Sequence, residues 1–262
     1  MIVFFDIDGT LVSDDPSHTI PESTTRAIRA ARENGHLMYI NTGRTMNNVD
    51  DYIREVGFDG YICGCGTYIE AGGKTLFYRT VPKDICLYMA ELMYDCKMSP
   101  VYERTDSFFL DKRLKEKGGL AELKVILTRE GKQFSRDVSE DDFSFDKLVA
   151  WYDEESDLER FKDGIKEHFD YIDRGYGFCE LAVKGLSKGT GIEVVCKHHN
   201  VPISDTIAIG DSLNDMPMLT AAGHSVAMGE SRKELLEAVE YVTSPLYEDG
   251  IETALRHYGL IK

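Results

Sequence analysis

The sequence predicts an α/β fold, a doubly wound parallel sheet with a smaller α/β domain inserted into it, and three observations predict it. Short apolar runs rich in β-forming residues lead into Asp6, into Asn41-Thr42-Gly43-Arg44 and into Gly210-Asp211-Ser212. Stretches of helical periodicity lie between these runs, and strand alternating with helix is the pattern of parallel strands joined by crossover helices. After residue 82 the rhythm changes and stays changed to residue 182, a stretch long enough for a domain with its own core. The expected boundaries are therefore 1–82 and 183–262 for the first domain and 83–182 for the inserted one.

In chain order, residues 2–5 are apolar without alternation, as in strands covered on both faces, and they deliver Asp6 at a carboxyl end. Residues 22–34 carry Ala and Ile at helical spacing and stop at Gly35; residues 36–40 form a second strand; residues 46–56 form a helix that stops at Gly57. A third strand at 61–63 precedes Gly64, Gly66, Gly72 and Gly73, which punctuate a hairpin, and Val81-Pro82 marks the boundary. The inserted stretch opens with a helix at 85–96 and strands near Val101 and Phe108. It continues through a charged middle, a strand at 147–152, a helix at 158–168 and short strands near Tyr171 and Phe178. Its acidic cluster Ser139-Glu140-Asp141-Asp142 reads as a solvated loop or helix start. The first rhythm then returns with a helix at 188–198, a strand at 206–209, a helix at 215–222 and a strand at 225–228. In open sheets of this kind ligands bind beyond the carboxyl ends of the strands, where Asp6, Thr42 and Asp211 all fall.

Composition narrows the function. Forty-six acidic against 30 basic residues leave a formal charge of −16, which repels nucleic acid and anionic membrane surfaces, so neither is expected as a partner. The same field disfavours anionic substrates, and a phosphate pocket here needs cations of its own. No apolar run reaches membrane-spanning length, and the amino terminus meets Asp6 without a basic leader, so a cytoplasmic location without a signal peptide is expected. The six cysteines, at 63, 65, 86, 96, 179 and 196, are too sparse for a stapled secreted domain and read as reduced thiols. Cys63-Gly64-Cys65 has no second pair at zinc-like spacing, and His198-His199 reads as a solvated helix end.

Asp6-Ile7-Asp8-Gly9-Thr10 sets two carboxylates where a strand ends, with Gly9 permitting the chain to curl so that both lean toward one point. Alone it could be an ordinary Asp/Gly turn. It is joined by Thr42-Gly43-Arg44 at another strand end, by Ser187-Lys188-Gly189 opening a helix, and by Gly210-Asp211-Ser212-Leu213-Asn214-Asp215. Lys188 could also be a surface lysine and Thr42 a helix cap. With these four elements in this order, together with Met216-Pro217-Met218-Leu219 and Ser225-Val226-Ala227-Met228-Gly229, the chain resembles the haloacid dehalogenase superfamily. Within that superfamily it is similar to the Cof-type phosphatases, which have a Rossmann-like core and a large α/β cap.

The resemblance implies a magnesium-dependent phosphatase that hydrolyses a small phosphorylated metabolite through an aspartyl phosphate. It makes Asp6 the nucleophile and Asp8 the general acid and base, with Thr42, Gly43, Lys188 and Asn214 holding the phosphate. Asp6, the backbone carbonyl of Asp8, and Asp211 hold magnesium, with Asp215 behind them. The assignment is electrostatically coherent: four carboxylates and a phosphate ester cannot gather without counter-charge, which Mg2+ and Lys188 supply. Over 83–182 the resemblance rests on position and length only, so Arg44 and Glu180, and also Tyr102, Arg104, Trp151, Arg174 and Tyr176, stand as candidate substrate contacts. Four positions depart from the family pattern: Cys65 and Thr67, in Cys65-Gly66-Thr67 where many relatives carry Asn-Gly-Ala, Val183 in place of a usual proline, and Glu230 in place of a usual asparagine.

Nucleotide-binding alternatives fail on spacing, since Gly64-Cys65-Gly66-Thr67-Tyr68-Ile69 lacks the third glycine of a dinucleotide fingerprint and Tyr68 stands where a P-loop needs glycine before Gly73-Lys74-Thr75. Two other functions share the core motifs: a phosphomutase that returns the phosphoryl group to a sugar, and a phosphate-responsive binding protein without turnover. The chain fits either a monomer or a homodimer.

Overall fold

Ile2, Val3, Phe4 and Phe5 are all fully buried, which an extended segment achieves only when both faces of its sheet are covered. In this computed structural model, which describes residues 1–13, 15, 17–129 and 131–262, they form β1 (Ile2–Phe5). The chain continues through α1 (Glu22–Glu33), β2 (Leu37–Asn41), α2 (Asp51–Arg54), β3 (Gly60–Cys63), β4 (Tyr68–Ala71) and β5 (Lys74–Tyr78). Next come α3 (Lys83–Asp95), β6 (Ser99–Glu103), β7 (Phe108–Leu110), α4 (Leu120–Arg129), β8 (Arg136–Asp137) and β9 (Lys147–Trp151). They are followed by α5 (Leu158–Ile165), β10 (Phe169–Gly175) and β11 (Phe178–Val183). The last part supplies α6 (Lys188–His199), β12 (Thr206–Gly210), α7 (Met216–Ala221), β13 (His224–Ala227), α8 (Lys233–Leu236), β14 (Tyr241–Val242) and α9 (Gly250–His257).

These elements make two units, one of Met1–Gly43, Val49–Phe77 and Leu186–Lys262, the other of Arg44–Asn48 and Tyr78–Gly185. In the first, the strand order β14-β13-β12-β1-β2-β3-β4-β5 is parallel from β14 to β3 and turns antiparallel at β4. Side chains alternate between its faces. Ile2, Phe4, Tyr39, Ile62 and Ala208 pack with Ile192 and Val195 of α6 and with Met218 and Leu219 of α7. Val3, Phe5, Met38, Ile40, Ile207 and Ile209 point the other way and are equally buried, on the side where α1 runs beside β2 and packs against α9.

The second unit has its own sheet, ordered β10-β11-β9-β6-β7-β8 and antiparallel except for β7 with β8. Tyr102 lies in its core with its ring 5.2 Å from Phe143 and 5.3 Å from Phe145. Trp151 is nearly buried against Phe178, at 4.7 Å. Both are packing residues, which corrects the expectation that they touch substrate.

Other expectations are met or change for local reasons. The helix expected at 46–56 is a 3-10 turn at Met46–Asn48 and the four-residue α2, separated by an extended Asp50 (φ −76°, ψ 154°). The charged middle contains α4, whose buried Leu120 and Leu127 are seven residues apart and diluted by exposed Val125 and Ile126. The acidic cluster is an exposed loop tied down by Arg136, which donates to Glu140 at 2.9 Å and also to Asp142. His199 is not a solvated helix end: its Nε2 lies 2.6 Å from the Tyr39 hydroxyl. All six cysteines are free thiols, five of them buried. Among the described residues no helix is long and apolar enough to cross a membrane.

Candidate active site

β1 and β12 lie side by side with Phe5 opposite Ile209, so Asp6 and the turn Gly210-Asp211-Ser212 leave the sheet together. The Asp6 N–H donates to the Ile209 carbonyl at 3.1 Å. The chain then curls, with the N–H groups of Thr10, Leu11 and Val12 all donating to the Ile7 carbonyl at 3.2, 2.9 and 2.9 Å. Gly9 is needed twice over: its φ is +75°, and a Cβ there would lie 2.4 Å from Asp211 Oδ2. The Thr10 hydroxyl donates to Asp211 Oδ1 at 2.9 Å.

Past β12, Asp215 ties its own turn together. Its Oδ2 accepts the N–H of Asp211 at 3.0 Å and of Ser212 at 3.1 Å, and the Ser212 hydroxyl donates to Asn214 Oδ1. Its Oδ1 lies 2.5 Å from Lys188 Nζ, which is also 2.7 Å from Asp6 Oδ1.

Lys188 is the first residue of α6, and a capping box sets that helix start: the Ser187 hydroxyl accepts from Thr190 N–H at 3.2 Å, and Thr190 Oγ1 accepts from Ser187 N–H at 3.0 Å. Asn41 at the end of β2 donates its amide to the Lys188 carbonyl at 2.9 Å, so β2 and α6 are joined at this point. Lys188 is only 2% exposed, which excludes the surface-lysine alternative.

Burial raises the Asp6 pKa to about 7, with the Asp215 charge adding, the Lys188 charge opposing and the Asp8 charge adding a smaller push. Burial works against the Lys188 ammonium, but Asp215 and Asp6 overcome it, and its pKa lies above the ordinary lysine value. Carboxylate oxygens of Asp6, Asp211 and Asp215 all lie within 4.8 Å of one another. Three carboxylates against one ammonium leave excess negative charge in a water-poor place, and the donors are all hard oxygens. The residues present therefore fit a divalent cation such as magnesium.

Asp8 is partly exposed beside Asp6 on the same curl, where it bridges to Val12. Thr42 is buried past the end of β2; its N–H donates to the Ile62 carbonyl at 2.8 Å and its carbonyl accepts from Cys65 N–H at 3.2 Å. Gly43 and Asn214 are partly exposed. Arg44 and Glu180 belong to the second unit, where Arg44 Nη1 donates to the Asn48 carbonyl at 3.2 Å. Glu180 is ion-paired to Lys147 at 2.7 Å and to Arg174 at 3.1 Å. Arg104 is paired with Asp106 at 2.5 Å, and Tyr176 is fully exposed in the β10–β11 turn. Sequence reasoning assigned no part to Thr10, Asn41 or Thr190. Thr10 stands inside the first motif and Ser187 and Thr190 have capping spacing, so both were findable; Asn41 carries no such signal, because its partner is 147 residues away.

The chain matches the haloacid dehalogenase-like hydrolase family across residues 3–255. It is 29% identical over 267 residues to the Bacillus subtilis (strain 168) protein YkrA, covering 100% of this chain and 98% of YkrA. It is 23% identical over 273 residues to the 5-amino-6-(5-phospho-D-ribitylamino)uracil phosphatase YitU of the same organism, covering 98% of this chain and 97% of YitU. Among solved structures, the HAD subclass IIB sugar phosphatase BT4131 is similar with a TM-score of 0.82 and 26% identity, over 99% of each chain. Because the family match spans nearly the whole chain and a relative of known structure shares its fold from end to end, the chain belongs to the haloacid dehalogenase-like hydrolases.

Proposed function

We propose that this hydrolase is a phosphatase releasing phosphate from a small phosphorylated metabolite, a sugar phosphate or a cofactor phosphate, with Asp6 as its nucleophile. The observation that carries this is the buried Asp6–Lys188–Asp215 contact: a strand-end carboxylate held 2.7 Å from an ammonium that a second carboxylate fixes in turn. Asp6 is thereby oriented at low entropic cost, and Lys188 stands where a phosphoryl oxygen needs a cation.

Asp6 attacks phosphorus in line, the ester P–O bond breaks, and Asp8 gives its proton to the leaving oxygen. Water then attacks the aspartyl phosphate while Asp8 takes a proton back, which frees phosphate and restores Asp6. Lys188, the Thr42 hydroxyl and the Gly43 N–H hold the phosphoryl oxygens through transfer, with Asn214 supporting the same group. Asp6, the Asp8 carbonyl and Asp211 would hold Mg2+; Asp215, both of whose oxygens are already engaged, keeps Lys188 and the Asp211 turn in place. When bound, the ion supplies positive charge that offsets the carboxylates and the phosphate. Residues 83–182 act as a cap domain that selects the leaving group, with Arg44 and Glu180 among the residues that read it. The names of YitU and BT4131 favour a polyhydroxylated leaving group.

Phosphate release from a panel of small esters, with and without Mg2+, tests this. Release should require Mg2+ and fall by at least about 10³-fold in Asp6→Asn. Unchanged release in Asp6→Asn would remove Asp6 as nucleophile, and folded protein releasing nothing from any ester would overturn the phosphatase function.

A further inference from the structure

We infer that Asn41 is a positioning residue for the phosphoryl transfer, present for the placement of Lys188 rather than for stability, an inference that rests on the proposed phosphatase function. Asn41 ends β2, and it belongs with Ile62, Gly66 and Lys188 to the first unit. It is fully buried. Alternation along β2 puts its side chain on the same face as Tyr39, where Phe4, Ile62, Ile192 and Val195 make the layer apolar. Its Nδ2 donates to the Lys188 carbonyl at 2.9 Å. Its Oδ1 is buried and has no hydrogen-bond partner among the described residues. A buried amide with its oxygen unused is desolvated without full compensation, so an apolar side chain of similar size would suit this layer better.

The helix does not need Asn41 in order to form. A carbonyl in the first turn of an α-helix already serves the N–H four residues on, and the capping box of Ser187 and Thr190 starts α6. What the Asn41 bond adds is a fixed place for that first turn relative to β2. The Gly66 turn approaches the same point, since a Cβ on Gly66 would lie 2.7 Å from the Ser187 carbonyl. From this turn Lys188 reaches Asp6 at 2.7 Å, on a long stem whose tip goes where its backbone is held. Without the Asn41 donor, Lys188 keeps its charge and both carboxylate partners, but its backbone is free to shift. A cation displaced by even a small fraction of an ångström stabilises the transferring phosphoryl group less.

The test compares Asn41→Leu with Asn41→Ala in the full chain. Three quantities are measured: urea unfolding, phosphate release from the most active ester of the panel, and inhibition by orthovanadate, which takes the five-coordinate shape of the transferring group. Both variants lack the donor, but they act oppositely on packing, because Leu fills the layer and removes the unused oxygen whereas Ala leaves a cavity. Asn41→Leu should unfold at the same urea concentration as the unaltered protein or a higher one, and Asn41→Ala at a lower one. Both should lose about tenfold in kcat/KM, and orthovanadate should inhibit both more weakly by a similar factor. Activity that follows stability, with only Asn41→Ala slowed, would make Asn41 a packing residue and overturn the inference. A loss confined to Asn41→Leu would trace to crowding rather than to the donor and overturn it too, as would unchanged orthovanadate inhibition or an Asn41→Leu protein less stable than the unaltered one. If the unaltered protein releases phosphate and Asp6→Asn does not, while both Asn41 variants keep the full rate, only this inference falls; if the unaltered protein releases none, it falls together with the phosphatase function.

Discussion

Lys188 carries a charge where almost no water reaches it, and it does so because two carboxylates stand within 2.7 Å. A buried ammonium without partners would lose its proton; a buried pair of carboxylates without the ammonium would gain one. The site sits between these cases, which is why Asp6 is raised to about 7 rather than ionised as an ordinary aspartate with a pKa of 3.8. A raised carboxyl pKa means that, between the two values, the folded chain binds a proton the unfolded chain has released. That stabilisation is present below 3.8 and is lost as pH rises through about 7. Metal-free protein should therefore lose stability between about pH 4 and pH 7, and Mg2+ should raise Tm more at the higher pH. His36 and His199, whose pKa values burial lowers, act in the opposite sense, stabilising the fold as pH rises through the ordinary histidine range. Asp6→Asn keeps both histidines, so the difference in Tm slope between the two proteins isolates Asp6. Equal slopes would show that Asp6 does not titrate there.

At the scale of elements, the site is made by chain ends rather than by the strands and helices themselves. β1 ends in a curl that Gly9 allows, β12 ends in a turn that Asp215 ties, and α6 begins with a capping box that sets Lys188 in its first turn. Ser187→Ala removes one half of that box and should cost about 1 kcal/mol of stability. Because the Asn41 bond to the Lys188 carbonyl remains, activity should fall only a few-fold; urea unfolding and phosphate release measured on the same sample check both. A loss of activity far larger than the loss of stability would mean that the cap alone orients Lys188. β1 and β12 were legible in the sequence because strands buried on both faces are continuously apolar. The 46–56 stretch was not, because a helical pattern there is overridden by contacts that Thr45, Asn47 and Asn48 make within the second unit. Neither were α8, β14 and α9, of which the first two span four and two residues, too few to show a period.

The whole molecule carries a formal charge of −16, and each of its two units has a hydrophobic cluster of its own. The core of the second unit contains a test of which residues serve packing. Tyr102 is fully buried and its hydroxyl has no hydrogen-bond partner among the described residues, so the group is desolvated without compensation. Tyr102→Phe should leave phosphate release unchanged and stabilise the chain by about 1 kcal/mol, read by thermal unfolding. A selective loss of activity would instead return Tyr102 to the substrate-contacting residues.

The amino-acid sequence by itself determined the α/β class, the alternation of strand and helix, and the four motifs that carry Asp6, Asp8, Thr42, Lys188 and Asp211, because periodicity and motif spacing are local properties of the chain. Tertiary structure alone decided that Lys188 lies between Asp6 and Asp215, that Asn41 secures the start of α6, and that 44–48 belongs to the second unit. Each of these depends on groups far apart in the chain, from 27 to 182 residues in the site, and no local pattern encodes which distant partner a buried polar group will find.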